Sequence, residues 1–130
     1  MASIAPATTP AATAAEVPLY HFNRLGRLGQ NPGFVREIKQ LFVGQVPEQL
    51  LELRAAIAAA DWPQVAHLAH NLKAMFGNLG MEDAVSQLRQ VESLAQQAAD
   101  QRQQQLIVRA VETTATVVAQ LFTQDLQQPT

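Results

Sequence analysis

Large apolar residues recur at intervals of three and four along most of the chain, and no stretch alternates apolar with polar. The first pattern marks a helix with one buried face, whereas alternation would have marked a half-buried strand. Leu19, Tyr20, Phe22, Leu25 and Leu28 predict a short opening helix, stopped by Gly26, Gly29 and the Asn31-Pro32-Gly33 cluster. From Pro32 a long amphipathic run follows, with Phe34, Val35, Ile38, Leu41, Phe42, Gln45, Leu50, Leu53 and Ile57 at helical spacing. Pro47 lies inside this run. An internal proline removes one backbone hydrogen bond and presses on the carbonyl four residues back, here that of Val43. A kink or a one-turn break is expected there, eased by Gly44.

Asp61 ahead of Trp62-Pro63 predicts an N-cap and a helix that runs to about Leu79 and closes at Gly80. The next begins at Met81, with Glu82 and Asp83 at the positive end of its dipole, and carries Val85, Leu88, Val91, Leu94, Ala95 and Ala98. The last carries Leu106, Ile107, Ala110, Val111, Val117, Val118, Leu121 and Phe122. With short connections between them, these elements predict an all-α fold: an antiparallel up-down four-helix bundle with a short additional N-terminal helix.

The ends depart from this pattern. Residues 1–18, MASIAPATTPAATAAEVP, are alanine, proline and threonine with one charge, too little apolar surface to offset ordering entropy, and are expected to be a disordered leader. The bundle is expected over 19–126, and 127–130 as a frayed tail. The leader lacks the basic start and apolar core of a secretory signal. No stretch is read as reaching the roughly 20 apolar residues of a membrane span, so a cytoplasmic protein with no membrane partner is expected.

Composition narrows the chemistry by exclusion. A chain of 130 residues fits one domain with a real core. With no cysteine, disulfides, thiolate metal sites and cysteine nucleophiles are excluded. A net charge of −2 without any run of lysine or arginine argues against a nucleic-acid partner. No glycine-rich nucleotide loop is present, which argues against a kinase. Charged residues make up 15%, below the usual value of about 25%, with alanine and glutamine in their place.

The helix from Trp62 has an unusual outer face. At about 100° per residue, Val65, Ala69, Leu72, Phe76 and Leu79 form one inner stripe. Opposite it stands His70, whose neighbours one turn away are Ala66, His67, Lys73 and Ala74, with Gly77 two turns on. Outer faces ordinarily carry long polar side chains, and a glycine inside a helix costs up to about 1 kcal/mol against alanine. Small residues around an exposed imidazole let another macromolecule approach it closely, and Lys73 is placed to neutralise negative charge there. The same residue types also fit a helix–helix contact around an ordinary surface histidine.

The segment His70-Asn71-Leu72-Lys73-Ala74-Met75-Phe76-Gly77-Asn78-Leu79-Gly80 resembles the signature of histidine-containing phosphotransfer (HPt) domains, H-x-x-K-G followed by small residues and a closing glycine. Ala69 and the upstream Asp61 also look like the family pattern, and the resemblance spans about residues 19–122. It implies that His70 accepts a phosphoryl group from a receiver-domain aspartate and passes it to another receiver. It implies further that Lys73 stabilises the phosphoryl charge, and that Ala66, His67, Ala74, Gly77 and Gly80 belong to the docking surface. One position departs: Ala74 stands where the family usually has glycine, which predicts weaker or more selective docking.

Partners implied by the resemblance are response-regulator receiver domains and a hybrid sensor histidine kinase, with the chain itself monomeric. Neutral imidazole attacks through the ring nitrogen that carries no proton. Phosphoryl transfer also needs a metal, and no carboxylate cluster is expected near His70, so the resemblance implies no cofactor of its own and Mg2+ supplied by the receiver. Two rivals compete with this reading. His67 and His70 could share a metal ion, but a third ligand is missing because His21 is remote in sequence. Alternatively, the chain is a non-catalytic helical adaptor that docks receivers or a kinase without phosphoryl exchange.

Overall fold

The computed structural model describes residues 19–128. The expected leader over 1–18 and the last two residues of the expected tail lie outside the described residues. Within them the chain is all-helical: a 3-10 segment over Asn23–Gln30, then α1 (Pro32–Ala58), α2 (Trp62–Asn78), α3 (Glu82–Gln96) and α4 (Gln101–Gln127). Three of the four α helices start on a side chain that satisfies an orphan backbone N–H. Asn31 accepts from Phe34, Asp61 from Gln64 and Asp100 from Gln103. Prolines follow the first two caps, at Pro32 and Pro63, where a missing N–H costs nothing.

Packing closes a ring of four helices. α1 lies on α2, α2 on α3, α3 on α4, and α4 on α1, while the backbones of the diagonal pairs α1–α3 and α2–α4 stay more than 8 Å apart between Cα atoms. The core holds Phe42, Phe76 and Phe122 with no exposure, surrounded by Leu53, Ile57, Leu72 and Leu88. Phe42 meets Phe76 and Phe122 edge-on, with centroids 5.8 and 5.3 Å apart. Such pairs add about 0.5–1.5 kcal/mol each beyond burial.

Several expectations change in detail. The opening helix is a 3-10 segment, because Gly26 at φ 59° and ψ −131° lies outside any helical conformation and divides it. None of its residues is buried. The segment is held instead by Tyr20 and Phe22 just ahead of it, whose rings pack against Phe122. Of the kink or one-turn break expected at Pro47, the break does not occur, and α1 runs through it. Pro47 itself is exposed, and buried Phe42, Val46, Leu50 and Leu53 on both sides of it share one core, whose burial outweighs the lost hydrogen bond.

The inner stripes of the two long helices are also narrower than the apolar spacing suggests. Leu41 and Gln45 of α1 face out, and so do Leu106, Ala110, Val117 and Leu121 of α4. The α4 core positions are Ile107, Val108, Val111, Ala115, Val118 and Phe122, together with the fully buried Gln104, whose amide donates to Ala99 O at 2.8 Å. In α3, Ala84, Leu88, Val91 and Ala95 are buried, while Ala98 lies past the helix end at φ 52°. By length and composition alone α4 could cross a membrane, contrary to the sequence expectation. Its most apolar stripe is here the inner wall of the bundle. The helix also continues to Gln127, one residue beyond the expected boundary, pinned by Lys39 to Asp125 at 2.9 Å and by Arg36 to Leu126 O at 2.7 Å.

Candidate functional site

The rotational setting of α2 decides what it shows to solvent. Asp61 fixes its start, and Val65, Leu68, Ala69, Leu72 and Phe76 are all buried along one side. All five residues of the predicted inner stripe are therefore buried, Leu79 included, and Leu68 joins them. His70, opposite, has a side chain 69% exposed. His67 and Ala74 are exposed beside it, and Ala66 and Gly77 are half-buried. A Cβ on Gly77 would meet only a Val85 methyl at 3.9 Å, so the space over this glycine is open.

Lys73 is not a free cation. Its side chain is only 20% exposed, and Nζ lies 2.5 Å from Oε1 of Glu92, which reaches across from α3. The second oxygen, Oε2, lies 3.7 Å from Nδ1 of His70. One carboxylate thus stands against both the lysine and the imidazole, on the ring edge that leaves Nε2 turned elsewhere. The expectation of an imidazole with a lone cation beside it is corrected here: an acid completes the group. Glu92 was missed because it belongs to another helix. The signal was faint, as it is the only acid in α3 beyond the first turn, next to the core residue Val91.

His67 and Gly80 are placed differently from this cluster. His67 Nε2 is 3.3 Å from Nδ2 of Asn71, one turn along the same helix, and makes no contact with the Glu92 pair. Gly80 ends α2 at φ +67°, and the ring of His21 occupies the space where a Cβ would be. His21 N also donates to Leu79 O at 2.7 Å. The His21 ring therefore covers half-buried Gly80 on the side where a Cβ would point. Among the described residues no group of three or more His, Asp or Glu side chains converges on a point that could hold a metal ion.

An exposed nucleophile over a half-buried Lys–Glu pair, ringed by small residues, is equipped to receive an anionic group from a second macromolecule. A family model for the Hpt domain matches residues 37–128, well over half of the 130-residue chain. The chain belongs to the Hpt domain family. Neither a curated protein nor a solved structure matches it. Hpt domains are helical bundles that carry phosphoryl groups on histidine in phosphorelays, and the exposed His70 and its cluster lie inside the matched region of this one.

Proposed function

We propose that this Hpt domain accepts a phosphoryl group on His70 from the aspartyl phosphate of a receiver domain and passes it to a second receiver. The observation that carries the reading is the His70–Glu92–Lys73 cluster on an otherwise small-residue face. Glu92 facing Nδ1 favours the tautomer with the proton on that nitrogen, which leaves the Nε2 lone pair to attack phosphorus. The bond from phosphorus to the aspartate oxygen breaks as the N–P bond forms, and the aspartate leaves as carboxylate. The ring then carries positive charge, which Glu92 faces, and Lys73, paired with the same carboxylate, is the cation assigned to the phosphoryl oxygens.

Among the described residues no acid other than Glu92 is within ion-pair distance of His70, so on this reading the receiver brings most of the catalysis and its Mg2+. The chain acts as a carrier, as a monomer in the cytoplasm, between receiver domains and a hybrid sensor kinase. Its up-down antiparallel bundle serves to hold α2 and α3 in the register that joins Glu92 to Lys73.

The test is transfer from a radiolabelled phospho-receiver to the full chain. Acid-labile, alkali-stable label is expected, lost in His70→Gln and kept in His67→Gln. Stable complex formation with the receiver and no label in the wild type would instead establish the adaptor reading.

A further inference from the structure

The sequence has no run of basic residues, yet the fold assembles one. A shallow groove of about 540 Å3 lies between α1 and α4, lined by Leu51 and Arg54 on one side and by Arg102, Gln105, Leu106 and Arg109 on the other. Leu51 and Leu106 are 59% and 53% exposed, more than the other large apolar side chains among the described residues. Arg54 lies 3.5 Å from Glu112, but among the described residues no acid is within ion-pair distance of Arg102 or Arg109. A protein with a net charge of −2 thus concentrates arginines around two exposed leucines.

We propose that this groove docks an acidic amphipathic helix of a partner protein. The spacing argues for a helix. Arg102, Leu106 and Arg109 follow one stripe along two turns of α4, about 10 Å in length. The channel between two packed helices accepts the side-chain ridge of a third. Leu51 and Leu106 would meet its apolar stripe, and carboxylates one or two turns apart would take the guanidinium forks of Arg102 and Arg109. Gln105, which already donates to Arg54 O at 3.1 Å, ties the two walls together, so the groove is preformed.

Its position adds a consequence. The backbone of α2 stays more than 8 Å from that of α4, and that of α3 from that of α1. The His70 cluster on α2 and α3 and the arginine groove on α1 and α4 therefore occupy opposite sides of the ring. A partner held in the groove leaves His70 open, so the domain can be tethered while it exchanges phosphoryl groups. The docking itself is independent of phosphotransfer and is read without it.

The probe is a fluorescein-labelled synthetic helix of about 15 residues, long enough for four turns, with leucine and glutamate on one face. Its control carries lysine in place of each glutamate. Anisotropy titrations of the full chain are expected to show binding of the glutamate peptide alone, weakened at least about tenfold when salt rises from ~0.05 to ~0.5 M. Arg102→Glu/Arg109→Glu is expected to weaken it at least about tenfold as well. The substitution at 102 falls in the first turn of α4, where an acid is favourable, and an unchanged thermal melt confirms folding. Arg109→Gln, which adds no repulsion, is expected to give a smaller loss. Equal binding of the two peptides, no binding, or indifference to the arginine substitutions overturns the proposal. So does concentration-dependent dimerisation through the same residues, or preferential capture by anionic vesicles.

Discussion

Glu92 of α3 reaches across to α2 and places one carboxylate oxygen 2.5 Å from Lys73 Nζ. Its other oxygen is 3.7 Å from the exposed imidazole of His70. The acid therefore links a half-buried cation to a solvent-facing imidazole.

Glu92→Gln should slow phosphoryl transfer from a phospho-receiver by about three- to tenfold, because the amide no longer favours the proton on Nδ1. A purely structural role would leave the ring unaffected. Nitrogen NMR of His70 separates the two cases: the fraction protonated at Nδ1 is expected to fall in the variant.

Lys73→Ala should reduce the transfer rate at least about tenfold, since it removes the cation paired with the carboxylate beside His70. The fold should lose only about 1 kcal/mol, because both partners of the ion pair keep some access to water. Lys73→Arg, which retains the charge, should recover part of the rate. Denaturant unfolding and transfer kinetics on the same samples check both statements.

Gly77→Ala should raise stability by up to about 1 kcal/mol, seen as a melting temperature several degrees higher. The new methyl has room, with only Val85 nearby at 3.9 Å. Gly77→Glu should fold comparably yet cut transfer more than about tenfold, by placing bulk and negative charge where a receiver approaches. A glutamate variant with undiminished transfer would remove Gly77 from the docking face.

Gly80→Ala should destabilise by at least about 1–2 kcal/mol, because the residue sits at φ +67° and the new Cβ collides with the His21 ring. His21→Ala in the same chain should relieve the collision but not the backbone strain. A double-mutant cycle in urea measures that coupling.

What could be read from the chain alone follows from how local each feature is. The inner stripe of α2, Val65 to Leu79, depends on one helix of fixed period, and its periodicity alone placed His70 outside. In the two long helices apolar residues flank the stripe on both sides. Neighbouring helices decide that Phe42 and Ile107 go in while Leu41 and Leu106 stay out. A glutamine takes a core position at 104 that an apolar pattern would not assign. Glu92 and the arginine groove depend on the relative register of two helices, which no single-helix pattern contains.

The side of His70 to which Glu92 is turned also bears on how long a phosphoryl group would survive there. The carboxylate is committed to Lys73 and to the Nδ1 edge, and among the described residues no other acid lies within ion-pair distance of the ring. Among the described residues no further acid would then be placed to activate a water molecule against phosphorus at Nε2. If His70 carries the phosphoryl group as proposed, a phosphohistidine with no assisted hydrolysis would persist between encounters, and the tempo of transfer would follow how often receivers meet it.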